Sequence, residues 1–261
     1  MTIPYFEVVA FTDRPFAGNP AGVCLLPDEW LPDEVMQGIA AENNLAETAF
    51  LIERDGFLDV RWMTPAIEID LCGHATLASA HVLFNHLGRP GASVTFQSKS
   101  GPLKVEKKDG LLVLDFPSQP ARQCEPPPTL AAGLRATPRE VMKQRDYFAV
   151  FDRAEEVIAI QPDLEIITKL DARGVVITAP GSDCDFVSRY FAPAAGIPED
   201  PVTGSTHCSL IPYWAQRLGK AKLRARQLSK RGGELFCEDR QRRVGIGGHA
   251  LTYVEGKLHA G

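Results

Sequence analysis

The sequence lacks the features that mark several common protein classes. Its six cysteines are scattered without a Cys-x-x-Cys pair, so neither a zinc ribbon nor a thioredoxin-type redox pair is expected. There is no basic block and the net charge is −5, which gives no support for nucleic-acid binding. No apolar run approaches the roughly 20 residues of a membrane span. The first residues show no basic and apolar signal segment, so we expect a cytoplasmic protein.

The composition is that of an ordinary globular protein. Of the 261 residues, 44% are apolar and 23% are charged, which is enough for one large core or two average ones. Prolines are dense in 117–128, and this segment is predicted to be a linker. We therefore expect an N-terminal lobe over 1–117 and a C-terminal lobe over 118–249. The last strand, 250–261, is a candidate to complete the first lobe.

Several short segments occur twice along the chain in the same order. One matching segment would be noise, but ordered matches at nearly one offset argue for an internal duplication. The chain is thus predicted to consist of two similar halves. The paired segments are Arg-x-x-x-Pro at 61–65 and 189–193, the Gly-to-Gly runs 73–88 and 204–219, and Ser-Lys-x-Gly at 98–101 and 229–232.

Local patterns predict more strands than helices. Each half is expected to have about one long helix, which ends at a glycine cap, Gly88 in the first half and Gly219 in the second. Strands outnumber helices, so the predicted fold is α+β, with each half a curved, mostly antiparallel sheet rolled around a central helix. Other predicted elements of the second half are strands at 157–160 and 229–230 and a short helix at 164–169.

Glu47 is the first candidate for acid–base chemistry. It lies in the largely apolar strand predicted at 45–52. A carboxyl group taken out of water has a raised pKa, which lets it give and take a proton near neutrality. The alternative is a glutamate at a strand edge that faces solvent, because the alternation of the strand does not force burial.

Cys72 and His74 flank Gly73 at the start of the first predicted long helix. The positive end of a helix disfavours an imidazolium, so a neutral His74 ring is expected, and the alternative is a capping histidine without chemistry. The same helix end should lower the pKa of Cys72, unless this residue is a small buried apolar group. Unpaired N–H groups at this helix end suit a carboxylate or phosphate.

The counterpart loop is Asp-Pro-Val-Thr-Gly-Ser at 200–205. Asp200 and Ser205 place an acceptor and a hydroxyl next to free N–H groups, although simple helix capping explains the same residues. If the two halves face each other about a pseudo-two-fold axis, both helix starts open on one cleft and favour a small acidic ligand. The cleft is expected to be asymmetric, because Cys72 aligns with Thr203.

Four ordered segments resemble the phenazine-biosynthesis PhzF family, and the resemblance covers the chain nearly end to end. It implies the diaminopimelate epimerase-like fold with the site between the two lobes, a homodimer, and no cofactor or metal. The segments are Phe-Ala-Gly-Asn-Pro at 16–20, Asn-Leu-Ala-Glu-Thr-Ala-Phe at 44–50, Cys-Gly-His-Ala-Thr at 72–76 and Glu-Asp-Pro-Val-Thr-Gly-Ser at 199–205.

The resemblance also implies a reaction and a set of site residues. In that family a glutamate matching Glu47 shuttles a proton across a conjugated cyclohexadiene acid and isomerises trans-2,3-dihydro-3-hydroxyanthranilate. The matching catalytic residues here are Glu47, His74, Asp200 and Ser205. The matching substrate-binding residues are Asn19, Cys72, Gly73, Thr203 and Gly204, with the N–H groups of the two glycines expected to meet the substrate carboxylate.

Three other functions are weighed against this isomerase. A small-acid-binding protein that lost the chemistry would keep the same pocket. An amino-acid epimerase or racemase would use Cys72 with a partner other than a thiol, because the hydroxyl of Thr203 is far too weak an acid to replace one. A metal hydrolase is disfavoured, because His74 and His81 are seven residues apart, whereas helical metal pairs are about four apart.

Overall fold

The computed structural model describes residues 1–54 and 56–260, which form two compact units. The first unit is Met1–Asp115 with Gly247–Gly261, and the second is Phe116–Ile246. The chain passes from the first unit to the second and returns for its last strand. The predicted division lay at 117/118 and 249/250. No helix among the described residues is long and apolar enough to cross a membrane.

The first unit is built mostly from strands. Two helices, α1 (Asp33–Asn43) and α2 (Gly73–Asn85), interrupt them. The strands, numbered in chain order, are β1 (Thr2–Ala10), β2 (Asn19–Leu26), β3 (Glu47–Arg54), β4 (Phe57–Met63), β5 (Glu68–Ile69), β6 (Ser93–Ser98), β7 (Gly101–Lys108), β8 (Leu111–Pro117) and the C-terminal β17 (Ala250–His259).

The second unit contains more short helices. A single 3-10 turn, Pro193–Ala195, precedes its longest helix within the described residues. The helices are α3 (Pro128–Leu134), α4 (Ala154–Ala159), α5 (Leu164–Thr168) and α6 (Gly204–Leu218). The strands are β9 (Arg122–Gln123), β10 (Glu140–Lys143), β11 (Tyr147–Val150), β12 (Val175–Pro180), β13 (Phe186–Phe191), β14 (Lys222–Gln227), β15 (Gly233–Asp239) and β16 (Arg243–Gly248).

The two units repeat one order of strand pairings, which confirms the predicted duplication. In the first, β1–β2 is antiparallel, β2–β3 parallel, β3–β4 antiparallel, β4–β6 parallel and β6–β7 antiparallel. In the second, β10–β11, β11–β12, β12–β13, β13–β14 and β14–β15 follow the same alternation. The main helix of each unit, α2 or α6, connects the two strands of the second parallel pair.

A partly buried ion pair recurs before each main helix. Arg61 on β4 binds both carboxylate oxygens of Glu68, with Nε and Nη2 each at 2.8 Å. Arg189 on β13 binds Glu199 in the same two-pronged way, at 2.7 and 3.2 Å. These arginines begin the repeated Arg-x-x-x-Pro segments, so the repeat includes side-chain contacts as well as backbone.

Helix α2 lies at the centre of the first unit. Every residue from His74 to Phe84 is buried, and the helix packs against β1, β2, β3, β7 and β17. Small residues such as Ala75, Ala78 and Ala80 allow strands to approach a helix closely on all sides. The strands around α2 thus hold the first turn of this helix in a fixed position.

Several element predictions were wrong. Helix α2 ends at Asn85 with His86 as its C-cap, so Gly88 is not the cap, although it does take a positive φ. Residues 157–160, predicted to be a strand, belong largely to α4, and 229–230 form a turn. The predicted linker 117–128 contains the short strand β9. Gly219 does cap α6, with φ of 65°.

Candidate active site

The two main helices begin in the same way. Cys72 and Thr203 are their N-cap residues, both with extended backbone (φ/ψ of −139°/115° and −112°/97°) and neither with a side-chain cap hydrogen bond. Gly73 and Gly204 are the first helical residues. The predicted alignment of Cys72 with Thr203 therefore holds in the structure, and the first-turn N–H groups follow each glycine.

Glu47 is buried at the start of β3. It pairs with Ala21 of the parallel neighbour β2 and retains 7% exposure. This burial excludes the alternative of a glutamate at a strand edge that faces solvent. Burial also favours the uncharged form of a carboxyl group.

Three polar side chains of the first unit, those of Asn19, Glu47 and Cys72, meet around the ring of His74. Its Nε2 lies 3.0 Å from Oε2 of Glu47. Its Nδ1 lies 3.3 Å from Nδ2 of Asn19 and 3.6 Å from Sγ of Cys72. The Glu47–His74 pair is close but not aligned as a hydrogen bond, which is common in unliganded active sites. The structure thus brings together the predicted residues Asn19, Glu47, Cys72 and His74.

For Cys72 the structure bears out the alternative of a small buried group and not the activated thiol. We expected the helix end to lower its pKa, but burial raises the pKa of the thiol, and the nearby charge of Glu47 acts in the same direction. The desolvation of a fully enclosed sulfur outweighs the partial charge of the helix end. Cys72 therefore keeps its proton at neutral pH and is not an activated nucleophile.

The protonation of His74 depends on these two neighbours. Burial lowers the pKa of its imidazole, but ionised Cys72 and Glu47 would together raise the pKa well above its usual value. Because burial keeps Cys72 protonated, the first of these two charges is absent. Of these two neighbours, Glu47 is then the one whose negative charge can favour the protonated, imidazolium form of His74.

Glu47, Cys72 and His74 also have the side-chain types that bind transition metals, with ligand atoms within 4.8 Å of one another. Glu47 lies beside Nε2 of the ring and Cys72 beside Nδ1. The two nitrogens point in different directions, so one ion cannot use all three ligands unless the ring turns. The arrangement fits a chain of proton-carrying groups better than a metal centre.

The start of α6 carries the other predicted residues, held in a hydrogen-bond network. Thr203 donates its hydroxyl proton to Oδ2 of Asp200 at 2.6 Å. Gln227 on β14 accepts from the Thr203 N–H at 2.9 Å and donates to the Asp200 carbonyl and to Thr203 Oγ1. Ser205, in the first turn of α6, accepts a hydrogen bond from Arg145 at 3.3 Å.

Sequence reasoning missed Gln227 and His207. Gln227 is 1% exposed and joins the two ends of the 200–203 loop, and an isolated glutamine in a polar strand has no sequence signature. His207 is completely buried, with Nδ1 2.8 Å from the Thr203 carbonyl. Its position one turn after Thr203 was the available signal, because a side chain at i+4 can reach that carbonyl.

Glu47 has no acidic counterpart in the second unit. Aligned through the repeated Arg-x-x-x-Pro segments, the strand registers place Gly174 at the matching position, and a Cβ there would lie 2.5 Å from the Phe191 carbonyl oxygen. At this matching position the first unit thus has a carboxyl group and the second unit has no side chain. The register pairs behind this alignment are Thr48 with Met63 and Val175 with Phe191.

Comparison with known sequences finds similar proteins over nearly the whole chain. The family model described as phenazine biosynthesis-like protein matches residues 8–256. A Pseudomonas aeruginosa protein named as an uncharacterized isomerase is 49% identical over 259 residues, covering 99% of each chain. The human phenazine biosynthesis-like domain-containing protein is 39% identical and covers 100% of both chains.

Solved structures agree on the fold. A PhzF-family protein of Enterococcus faecalis has a TM-score of 0.96 at 46% identity, covering 99% of this chain and 100% of its own. A hydroxyproline epimerase of Agrobacterium vitis shares the fold at 10% identity, with a TM-score of 0.62 and 98% and 92% coverage. The predicted α+β, epimerase-like architecture is confirmed, and the chain belongs to the PhzC-PhzF family of phenazine biosynthesis-like proteins.

Proposed function

We propose that the protein is a cofactor-independent isomerase that moves a proton on a small carboxylate substrate similar to trans-2,3-dihydro-3-hydroxyanthranilate. Glu47 is the acid and base of this reaction. The observation that carries the proposal is a carboxyl group buried to 7% exposure with a histidine nitrogen 3.0 Å away. A buried carboxyl group beside an imidazole is suited to giving and taking a proton near neutral pH.

The proposed step conserves atoms and electrons. The Glu47 carboxylate takes a proton from a substrate carbon, and the electron pair of that C–H bond moves into the conjugated system. The resulting carboxylic acid then returns the proton to a different carbon, and the double bonds shift accordingly. No electrons leave the substrate, so the proposed reaction calls for no redox group.

The start of α6 enters the proposal through the family resemblance. Asp200 and Ser205 are proposed to help hold the substrate or relay protons, and Thr203 is proposed to contact it. The N–H groups of Gly73 and Gly204 are proposed to bind the substrate carboxylate, as first-turn N–H groups of helices do. The homodimer and the cytoplasmic location remain predictions.

The test is the turnover of Glu47→Gln on trans-2,3-dihydro-3-hydroxyanthranilate. Glutamine keeps the shape and hydrogen bonding of the side chain but has no transferable proton, so the rate should fall roughly 10²- to 10⁴-fold. Glu53→Gln, at an exposed position on the same strand, is the matched control and should react like the wild type. Full turnover by Glu47→Gln would rule out the proposed role.

A further inference from the structure

The two ring nitrogens of His74 have neighbours of different chemical character. Asn19 Nδ2 and Cys72 Sγ lie 3.3 and 3.6 Å from Nδ1, and Glu47 Oε2 lies 3.0 Å from Nε2. All four side chains are buried, and Asn19 is 0% exposed. A neutral imidazole carries its single proton on one nitrogen, and the hydrogen bonds around the ring select which one.

Both neighbours of Nδ1 are hydrogen-bond donors. An amide nitrogen donates and does not accept. Cys72 also presents a proton, because burial raises the pKa of its thiol. Two donors directed at Nδ1 require this nitrogen to be an acceptor. The ring proton then belongs on Nε2, where it faces the carboxyl group of Glu47.

We propose that Asn19 is a positioning residue that holds His74 as the neutral tautomer with its proton on Nε2, and thereby places the transferable proton of Glu47 on Oε1. An Nε2–H group 3.0 Å from Oε2 presents a proton to this oxygen, so a carboxyl proton placed on Oε2 would face another proton. A protonated Glu47 then carries its proton on the other oxygen, Oε1. This inference rests on the proposed function of Glu47, and it gives Asn19 a role other than the predicted substrate binding.

The backbone around Asn19 is suited to holding one side chain in place. Asn19 is the first residue of β2 and pairs with Ala10 of β1. The preceding Gly18 has a φ of +66°, and a Cβ there would lie 2.3 Å from the Ala10 carbonyl oxygen. This close approach, which only glycine allows, fixes where β2 begins and therefore where the Asn19 amide lies.

The direct test is nitrogen-15 NMR of the histidine rings in the ligand-free protein, with His74 assigned by the His74→Gln variant. At pH 7 the wild type should show His74 as a neutral ring protonated on Nε2. In Asn19→Asp the new carboxylate accepts from Nδ1, so the proton should move to Nδ1, or the ring should stay doubly protonated to higher pH. The other groups near the His74 ring that can gain or lose a proton are Glu47 and Cys72.

Asn85→Asp supplies a matched control on the same helix. Asn85 Nδ2 lies 2.9 Å from Nδ1 of His81. This contact joins the same two kinds of group as the Asn19–His74 contact but does not involve Glu47. This variant should change the His81 signals and leave those of His74 unchanged. In kinetics, Asn19→Asp should lower kcat roughly tenfold or more with little change in KM, because a ring in the wrong tautomer no longer presents its proton to Glu47.

Two results would overturn the inference. One is a wild-type His74 with a proton on Nδ1, either as the other neutral tautomer or as an imidazolium at pH 7, which the wild-type spectrum alone reveals even if Asn19→Asp does not fold. The other is an Asn19→Asp variant whose ring is unchanged, or whose KM rises while kcat is constant, as expected of a substrate contact. The ring is observed without substrate, so the result is independent of whether Glu47→Gln retains turnover.

Discussion

Two buried histidines lie in the first turns of the two main helices, and their ring nitrogens have different partners. His74 has a proton-carrying group near each ring nitrogen, Cys72 at Nδ1 and Glu47 at Nε2. His207 has Nδ1 against the Thr203 carbonyl, which can only accept, so its proton is on Nδ1. Its Nε2 has no hydrogen-bond partner among the described residues. His74 is arranged to respond to a proton moving nearby, and His207 is arranged to stay neutral.

The difference extends to the residues around each histidine. The first helix start has a carboxyl group, a thiol and an amide, whereas the second is held by Gln227, which bonds the loop through uncharged groups and backbone. At the first helix start a carboxyl group lies 3.0 Å from an imidazole nitrogen, whereas near the second the imidazole nitrogen lies against a backbone carbonyl.

The largest effect on stability is expected from breaking the network at the second helix start. Gln227→Leu leaves the Thr203 N–H, the Thr203 hydroxyl and the Asp200 carbonyl without Gln227, and should lower the free energy of unfolding by about 3–5 kcal/mol. Urea denaturation measures this loss. Gln123→Leu, at an exposed position, is the control and should change stability little. A Gln227→Leu protein as stable as the wild type would show that the network is not needed.

The next effect is a dependence of stability on pH. Burial lowers the pKa of His207 to about 4, whereas the unfolded chain has its ordinary value of about 6.5. Between these values the unfolded chain binds more protons, so stability falls as the pH drops from 6.5 towards 4, by about 3 kcal/mol for this residue.

His81 contributes in the same direction, because burial also lowers its pKa to about 4. The comparison is therefore made between the wild type and His207→Gln, by denaturation at pH 7 and pH 4.5. The variant should lose less stability than the wild type on acidification. Equal losses in the two proteins would mean that His207 is protonated in the fold.

A smaller effect is expected at the counterpart of Glu47. Gly174→Ala places a methyl group against the Phe191 carbonyl and the Tyr190 hydroxyl, at 2.5 and 2.7 Å, and should cost about 1–3 kcal/mol. Gly38→Ala, in helix α1 with open space around it, should instead stabilise the protein by roughly 0.5–1 kcal/mol. Thermal unfolding of both variants checks this difference in sign, and a neutral Gly174→Ala would contradict it.

The smallest effect is expected at Cys72. Serine keeps a donor that can reach Nδ1 of His74, so Cys72→Ser should retain most of the turnover rather than lose the roughly 10²- to 10⁴-fold expected of a general acid or base. Turnover of Cys72→Ser beside Glu47→Gln measures the difference. A loss as large as that of Glu47→Gln would favour the epimerase alternative, in which Cys72 reacts directly.

Much of this architecture was predictable from the sequence, and the reasons differ by region. The repeated glycines and Ser-Lys-x-Gly segments revealed the duplication, because chain reversals and helix starts need particular residues. The pKa direction of Cys72 was missed, since burial from every side depends on strands far away in the sequence. Residues 157–160 were predicted to be a strand because they form a short run of consecutive apolar residues. A short buried helix segment gives the same pattern, so the sequence does not distinguish the two.

The most direct test of the central claim follows solvent hydrogen in heavy water. Wild-type protein and Glu47→Gln are each incubated with trans-2,3-dihydro-3-hydroxyanthranilate, and proton NMR records product formation and hydrogen exchange at the substrate carbons. We expect product with the wild type, and neither product nor exchange above background with Glu47→Gln. Product or exchange at the wild-type rate in Glu47→Gln would contradict the claim that this buried carboxyl group moves the proton.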